Sequence, residues 1–214
     1  DIHLSTCCTA SLLTFTTYLE VLLRPNSLYT VYILVFNSSQ PSSHGFPPMW
    51  RLLSRVIEKL YKASLEFGIP TIDVEDGLIL STLAFLVCTQ RNYVKVVDLG
   101  AGVGYSTAFL AYGMSSECRG ELVAVELEDS RFKELAANTK LLSEIAGSNI
   151  RVTAVNEDGL EYLSRLEDES LDLLFVDIEK KLYPEALKIS KKKLRRGGLA
   201  VFHNAIAPRP PEEF

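Results

Sequence analysis

The stretch Val96-Val97-Asp98-Leu99-Gly100-Ala101-Gly102-Val103-Gly104-Tyr105-Ser106-Thr107 decides the fold, because an apolar run flows straight into glycines spaced two apart. It reads as a strand, a tight turn and the start of a helix. Glycine takes backbone angles that a Cβ forbids, and it lets a ligand lie directly against the main chain. Ser106 or Thr107 can cap the helix that follows. Several classes of α/β protein share a GxGxG turn, so the residues beyond it carry the discrimination.

Counting forward from Asp98, a second apolar run, Glu121 to Val125, ends in Glu126. That carboxylate falls at the C-terminal edge of the next parallel strand, where a ribose diol finds its acceptor. The dinucleotide fingerprint GxGxxG is not matched in its strict form, since Tyr105 stands where its third glycine would approach. The turn is therefore less suited to cradling a pyrophosphate. A third segment, LDLLFVDIEKKLY at 171–183, is an apolar strand ending in Asp177, with Lys180 three residues later and Tyr183 six later. The next strand, LAVFHNAI, ends in His203-Asn204, 26 and 27 residues after Asp177.

DLGAGVGYST followed by VAVELEDS resembles motif I and the acidic post-I motif of class I S-adenosylmethionine (SAM) methyltransferases. The D-x-x-K-x-x-Y pattern with its later polar pair is similar to the cation-dependent O-methyltransferases related to the catechol and caffeoyl-CoA enzymes. The resemblance covers residues 50 to about 206. It implies a Rossmann-like, doubly wound, mostly parallel sheet and methyl transfer from SAM to a hydroxyl of a small molecule. On the matching positions, the turn Gly100, Gly102 and Gly104 would hold the methionine end of SAM with Ser106 close to its carboxylate, and Asp98 and Tyr105 would also bind the cofactor. Glu126 would take the ribose, Asp158 would lie near the adenine, and Val74 to Gly77 would cover the cofactor. Asp177 and Lys180 would be the catalytic pair, Asp177 also neighbouring the sulfonium methyl. Asp177, His203 and Asn204 would ligate a divalent cation. His203 stands where the family usually has Asp, and an imidazole suits zinc, manganese or iron better than magnesium. A homodimer is a further implication.

Two other readings stay open on the residues alone. One is a SAM methyltransferase acting on RNA, a protein carboxylate or a corrinoid precursor. The other is a non-catalytic binding module that kept the fold.

Composition agrees with one α/β enzyme domain: 214 residues, 47% hydrophobic and 23% charged, with a net charge of −5 that gives no nucleic-acid footprint. The basic run from Lys188 to Arg196 reads as a solvated helix end. Cys7, Cys8, Cys88 and Cys118 form no CxxC pair, so reduced thiols in a cytoplasmic protein are expected. No segment supplies the roughly 20 uninterrupted apolar residues of a membrane helix. No basic stretch opens a signal peptide.

Helices are expected over 49–67 and about 74–90, and strands near 94–98, 121–126, 150–155, 171–177 and 198–203, which is βαβ repetition. Residues 49–214 are read as the SAM-binding domain, with Met49 a natural start. Residues 1–48 are read as a separate segment. Within it, 16–36 forms two β-rich runs around Arg24-Pro25-Asn26-Ser27, a hairpin, and 37–48 forms a Ser/Pro-rich linker. The family fold carries a further antiparallel hairpin after the fifth strand. The expectation is that this hairpin is missing here or supplied by residues 16–36, as in a circular permutation, the alternative being a dimerisation arm or a segment of mistaken origin.

Overall fold

The protein is seen in a computed structural model that describes residues 48–115 and 119–205. The apolar runs form β1 (Val94–Leu99), β2 (Gly120–Glu126), β3 (Ile150–Asn156), β4 (Leu171–Val176) and β5 (Leu194–Phe202). They make one five-stranded, all-parallel sheet in the order β3-β2-β1-β4-β5. The chain winds outward from β1 to β3, then crosses to the other side of β1 for β4 and β5. Strand order therefore reverses between β1 and β4, and such a switch point opens a crevice above the carboxyl ends of the strands.

Helices α1 (Pro48–Glu66) and α2 (Val74–Thr89) precede β1, and α3 (Tyr105–Met114), α4 (Asp129–Ala146), α5 (Gly159–Arg165) and α6 (Tyr183–Lys193) fill the connections between strands. Side chains alternate along a strand, so each strand feeds two cores. Val94 and Val96 of β1, Leu122 and Ala124 of β2, and Leu173 and Phe175 of β4 pack with residues of α1 to α4. Their neighbours Val97, Leu99, Val123, Val125, Leu174 and Val176 pack instead with Tyr162 of α5 and Tyr183 of α6. The same alternation sends Asp98, Glu126, Asp177 and His203 toward the α1 to α4 face, each at the carboxyl end of its strand.

Beyond its acidic first turn helix α2 is largely apolar, and it lies close on α3. A Cβ at Gly113 would stand 2.1 Å from the Ser81 carbonyl oxygen, so only glycine allows the two backbones this approach. At the sheet's other end Asp172, 1% exposed, accepts from Lys95 N and from Arg195 Nη1, both at 2.8 Å, and pairs with Arg91 Nε at 2.8 Å. This clamp holds β1, β4 and β5 in register on the side away from the crevice.

Strand β5 begins at Leu194, four residues before the start expected from sequence. Lys193 ends α6, held by Leu166 O and Asp168, while Arg195 is held by Asp172, so an acidic partner distant in sequence draws the residues after Lys193 into the strand. Part of the basic run is thereby structural. Cys88, expected as a reduced thiol, is disulfide-bonded, a link that cysteine spacing does not disclose. The hairpin read at 16–36 lies outside the described residues, as does the linker up to 47; Pro48, the linker's last residue, opens α1. No helix among the described residues is long and apolar enough to cross a membrane.

Candidate functional site

Asp98 is fully buried at the end of β1. One of its oxygens, Oδ2, accepts from Ser106 Oγ at 2.8 Å and Thr107 Oγ1 at 2.6 Å. These hydroxyls do not cap α3, as their position in the sequence suggested. Gly104 is the N-cap residue, without a side-chain bond, and the hydroxyls turn back to the strand. The other oxygen of Asp98, Oδ1, is buried without a partner. Burial pushes the Asp98 carboxyl up to about 7, against the pull of the two hydroxyls and with added repulsion from Asp177 and Glu126.

Glu126, 6% exposed, braces the turn. Its Oε2 accepts from Gly102 N and its Oε1 from Glu128 N, each at 2.9 Å. A carboxylate offers about four lone-pair sites, so both oxygens can still accept a ligand hydroxyl. Ile69, in the loop before α2, lies over Gly102. Asp158 caps α5, its Oδ1 accepting from Leu160 N at 2.9 Å and Glu161 N at 3.0 Å. The Tyr105 ring turns toward Tyr61 and Phe109, with centroids 6.4 and 5.6 Å away. There it lines an apolar cavity of about 390 Å³ with Leu53, Ile57 and Val74.

Across the switch point, Asp177 Oδ1 and His203 Nδ1 lie 3.2 Å apart. His203 Nε2 faces Asp76 Oδ2 of α2 at 3.6 Å. The imidazole holds its proton more firmly than usual, first through the bond to Asp177 and against its own desolvation, with Asp76 assisting and Lys180 opposing. Asp76 belongs to the Val74 to Gly77 stretch expected to cover the cofactor, but its pairing was not foreseen; His203 is 127 residues away, and only the packing of α2 over the crevice joins them.

The residues expected to ligate a cation are thus placed as a hydrogen-bonded Asp177–His203 pair and an exposed Asn204 at φ 51°. Among the described residues no three His, Cys, Asp or Glu side chains converge as a metal cage. As placed, this set, with an imidazole in it, does not fit an octahedral oxygen site.

Tyr183, the last residue of the D-x-x-K-x-x-Y pattern, ties the two strand ends together. Its buried hydroxyl lies 2.8 Å from His203 O and 3.3 Å from Val176 O. Tyr183→Phe removes that donor while keeping the ring. The expected cost is about 1–2 kcal/mol, that of a buried carbonyl left short of a donor, read by denaturant unfolding.

Asp98 also gives a pH signature. Its folded-state pKa lies above the unfolded value of 3.8. The folded state therefore retains a proton that the unfolded state releases, and its contribution to stability falls as pH rises from about 4 to about 7. Stability of wild type minus that of Asp98→Asn should decline across this window by up to about 1.4 kcal/mol per pH unit and level off above it. Denaturant titrations of both proteins at pH 4.5 to 8 check this.

A family model described as a methyltransferase domain matches residues 97–205, half of the chain and the whole span from the glycine turn to His203. A relative from Mycobacterium ulcerans (strain Agy99), provisionally named an O-methyltransferase, is 29% identical over 142 residues, 66% of this chain and 59% of that protein. The chain thus spans about three-fifths of the length of such relatives. The O-methyltransferase TomG of Streptomyces achromogenes, involved in tomaymycin synthesis and solved with SAM, is 26% identical with a TM-score of 0.56, covering 73% of this chain and 66% of that one. An O-methyltransferase of Bacillus cereus solved with S-adenosylhomocysteine (SAH) shares the fold at 21% identity and a TM-score of 0.57, over 72% of this chain and 67% of the other. On the matched span, which holds the glycine turn, Glu126, Asp177 and His203, the chain belongs to the methyltransferase domain family.

Proposed function

We propose that this chain binds SAM above the β1–β4 switch point and transfers its methyl group to a hydroxyl of a small molecule. The observation that carries the reading is the buried, partnerless Oδ1 of Asp98 beneath the glycine turn, with Glu126 and Asp177 close enough to raise its pKa. Three carboxylates converging at one crevice repel one another unless a cation joins them. SAM carries an ammonium and a sulfonium, so its charge suits this place, and its adenosine supplies the ribose hydroxyls that Glu126 can accept.

When bound, SAM supplies an electrophilic methyl on a cationic sulfur. Asp98 and Asp177 would hold the cationic end, the main chain of Gly100 to Gly104 and the Ser106 region would border the methionine portion, and Asp158 would stand on the adenine side. The acceptor oxygen must approach from the Asp177–His203 side, where Lys180 is near enough to act on the imidazole. Holding two reactants in line contributes several kcal/mol by replacing a bimolecular encounter. Lys180 and Asp177 are the residues assigned to the acceptor's proton and to alignment. Names of the relatives favour a hydroxyl acceptor over RNA or protein. A homodimer belongs to the same reading and rests on family resemblance.

The test is incubation of the whole chain with methyl-labelled SAM and a panel of phenolic and aliphatic hydroxyl compounds, with mass spectrometry of the products. A methyl ether with equimolar SAH supports the proposal. Donor binding without transfer to any acceptor would favour a binding module, and transfer to RNA or protein alone would move the chain to another substrate class.

A further inference from the structure

The glycine turn needs a rigid platform if its amides are to meet a donor in a fixed pose, and α4 supplies it. The residues Leu135, Asn138 and Leu142 recur at helical spacing on the buried face of α4. Leu135 and Leu142 pack beneath Gly104, where an added Cβ would come within 3.2 and 3.1 Å of their methyl groups. Asn138 is the polar member of this stripe and is 1% exposed. Its Nδ2 donates to the carbonyl of Val103, inside the turn, and to Glu134 Oε1, both at 3.2 Å. Its Oδ1 accepts from Lys59 Nζ of α1 at 3.4 Å. A buried amide on an apolar face loses its hydration and is retained only where its donors and acceptor are met. Here all three contacts converge on one loop and the two helices beside it.

We infer that Asn138 is a positioning residue for the donor: by fixing the Val103 carbonyl from below it sets the orientation of the Gly102 and Gly104 peptides on which the donor lies. This rests on the donor-binding reading above. Glu126 braces the same turn from β2 through the Gly102 amide, so two side chains hold neighbouring residues of it. Neither touches the acceptor side, so loss of Asn138 should weaken donor binding more than it slows the bound complex.

Asn138→Asp keeps the shape, removes the amide donor and places an oxygen against the Val103 carbonyl; Asn138→Leu is the apolar counterpart if the first folds poorly. Amide hydrogen exchange is read on the ligand-free proteins for the peptide Leu99–Thr107 and for β4, and SAM and SAH are titrated by calorimetry. The expected result is turn exchange faster by about tenfold with β4 unchanged, and SAM and SAH affinities both reduced about tenfold. Where turnover can be measured, KM for SAM should rise with kcat held within about twofold. Glu134→Gln, which leaves the bond to Val103, should exchange and bind like wild type.

Equal exchange in the turn of variant and wild type would overturn the inference. So would faster exchange throughout the sheet, which marks a merely structural residue. Because exchange is read without donor, failure of the wild type to bind SAM would reject the functional proposal while this arm still decides the role of Asn138.

Discussion

Gly100→Ala is expected to cost about 3 kcal/mol or more of folding stability and to abolish donor binding. Gly100 adopts φ +85°, a conformation that L residues reach only at a cost, and an alanine Cβ would lie 2.2 Å from the Asp177 carbonyl oxygen. No flexible side chain stands at that contact; the obstacle is the main chain of β4's end. Asp177 N donates to Leu99 O at 2.9 Å, so the collision pries apart the two strand ends that define the crevice. Thermal unfolding and SAM titration of the variant check the two parts. A variant that melts like wild type would show that the β1–β4 junction is wider than described.

Glu126→Ala should lower SAM affinity about 100-fold or more while the protein still folds. The substitution leaves Gly102 N and Glu128 N without their acceptor in a nearly buried place, each a cost of about 1–3 kcal/mol if unmet by water. It also removes the oxygens offered to the ribose. Glu126→Gln keeps one oxygen and should fall between the two. Calorimetric titration gives the affinities, and an affinity within about threefold of wild type would remove Glu126 from the donor site.

The strand ends were legible because two signals coincide in the chain: apolar runs short enough for strands, and a polar residue terminating each. Asp98, Glu126, Asp177 and His203 could be picked out for that reason, and strand periodicity places them on one face once the runs are known to pair in parallel. The expected first residues of β1 to β4 fall at the observed start or one residue from it. β5 departed only after Lys193: KKK is the helix end it looked like, but LRR joins the strand once Asp172 is brought alongside Arg195, and no local pattern announces that partner. Directions of side chains were harder. The Ser106 and Thr107 hydroxyls were read as facing forward to cap α3 and instead face back to Asp98, because burial of that carboxyl makes donors scarce around it.

Contacts between distant segments were not legible at all. Asp76 meets His203 only through the packing of α2 over the crevice. Tyr183, read from sequence only as the end of the D-x-x-K-x-x-Y pattern, bonds to the ends of two strands. Asn138 did leave a trace, since an amide at an apolar position of a helical stripe between Leu135 and Leu142 marks a buried polar contact, though not the loop it reaches. The imidazole at 203 was visible as a departure from the expected pair, and the structure shows what the departure does: it places a hydrogen bond to Asp177 where a second carboxylate would have faced it.

The most direct test of the account is calorimetric titration of the full 214-residue chain with SAM at pH 7.5, with SAH in parallel and Gly100→Ala as the control. Saturable one-to-one binding in the micromolar range, lost in the control, is the predicted result. No heat with either ligand from a protein that unfolds cooperatively would contradict the donor site at the β1–β4 switch point and with it the proposed activity.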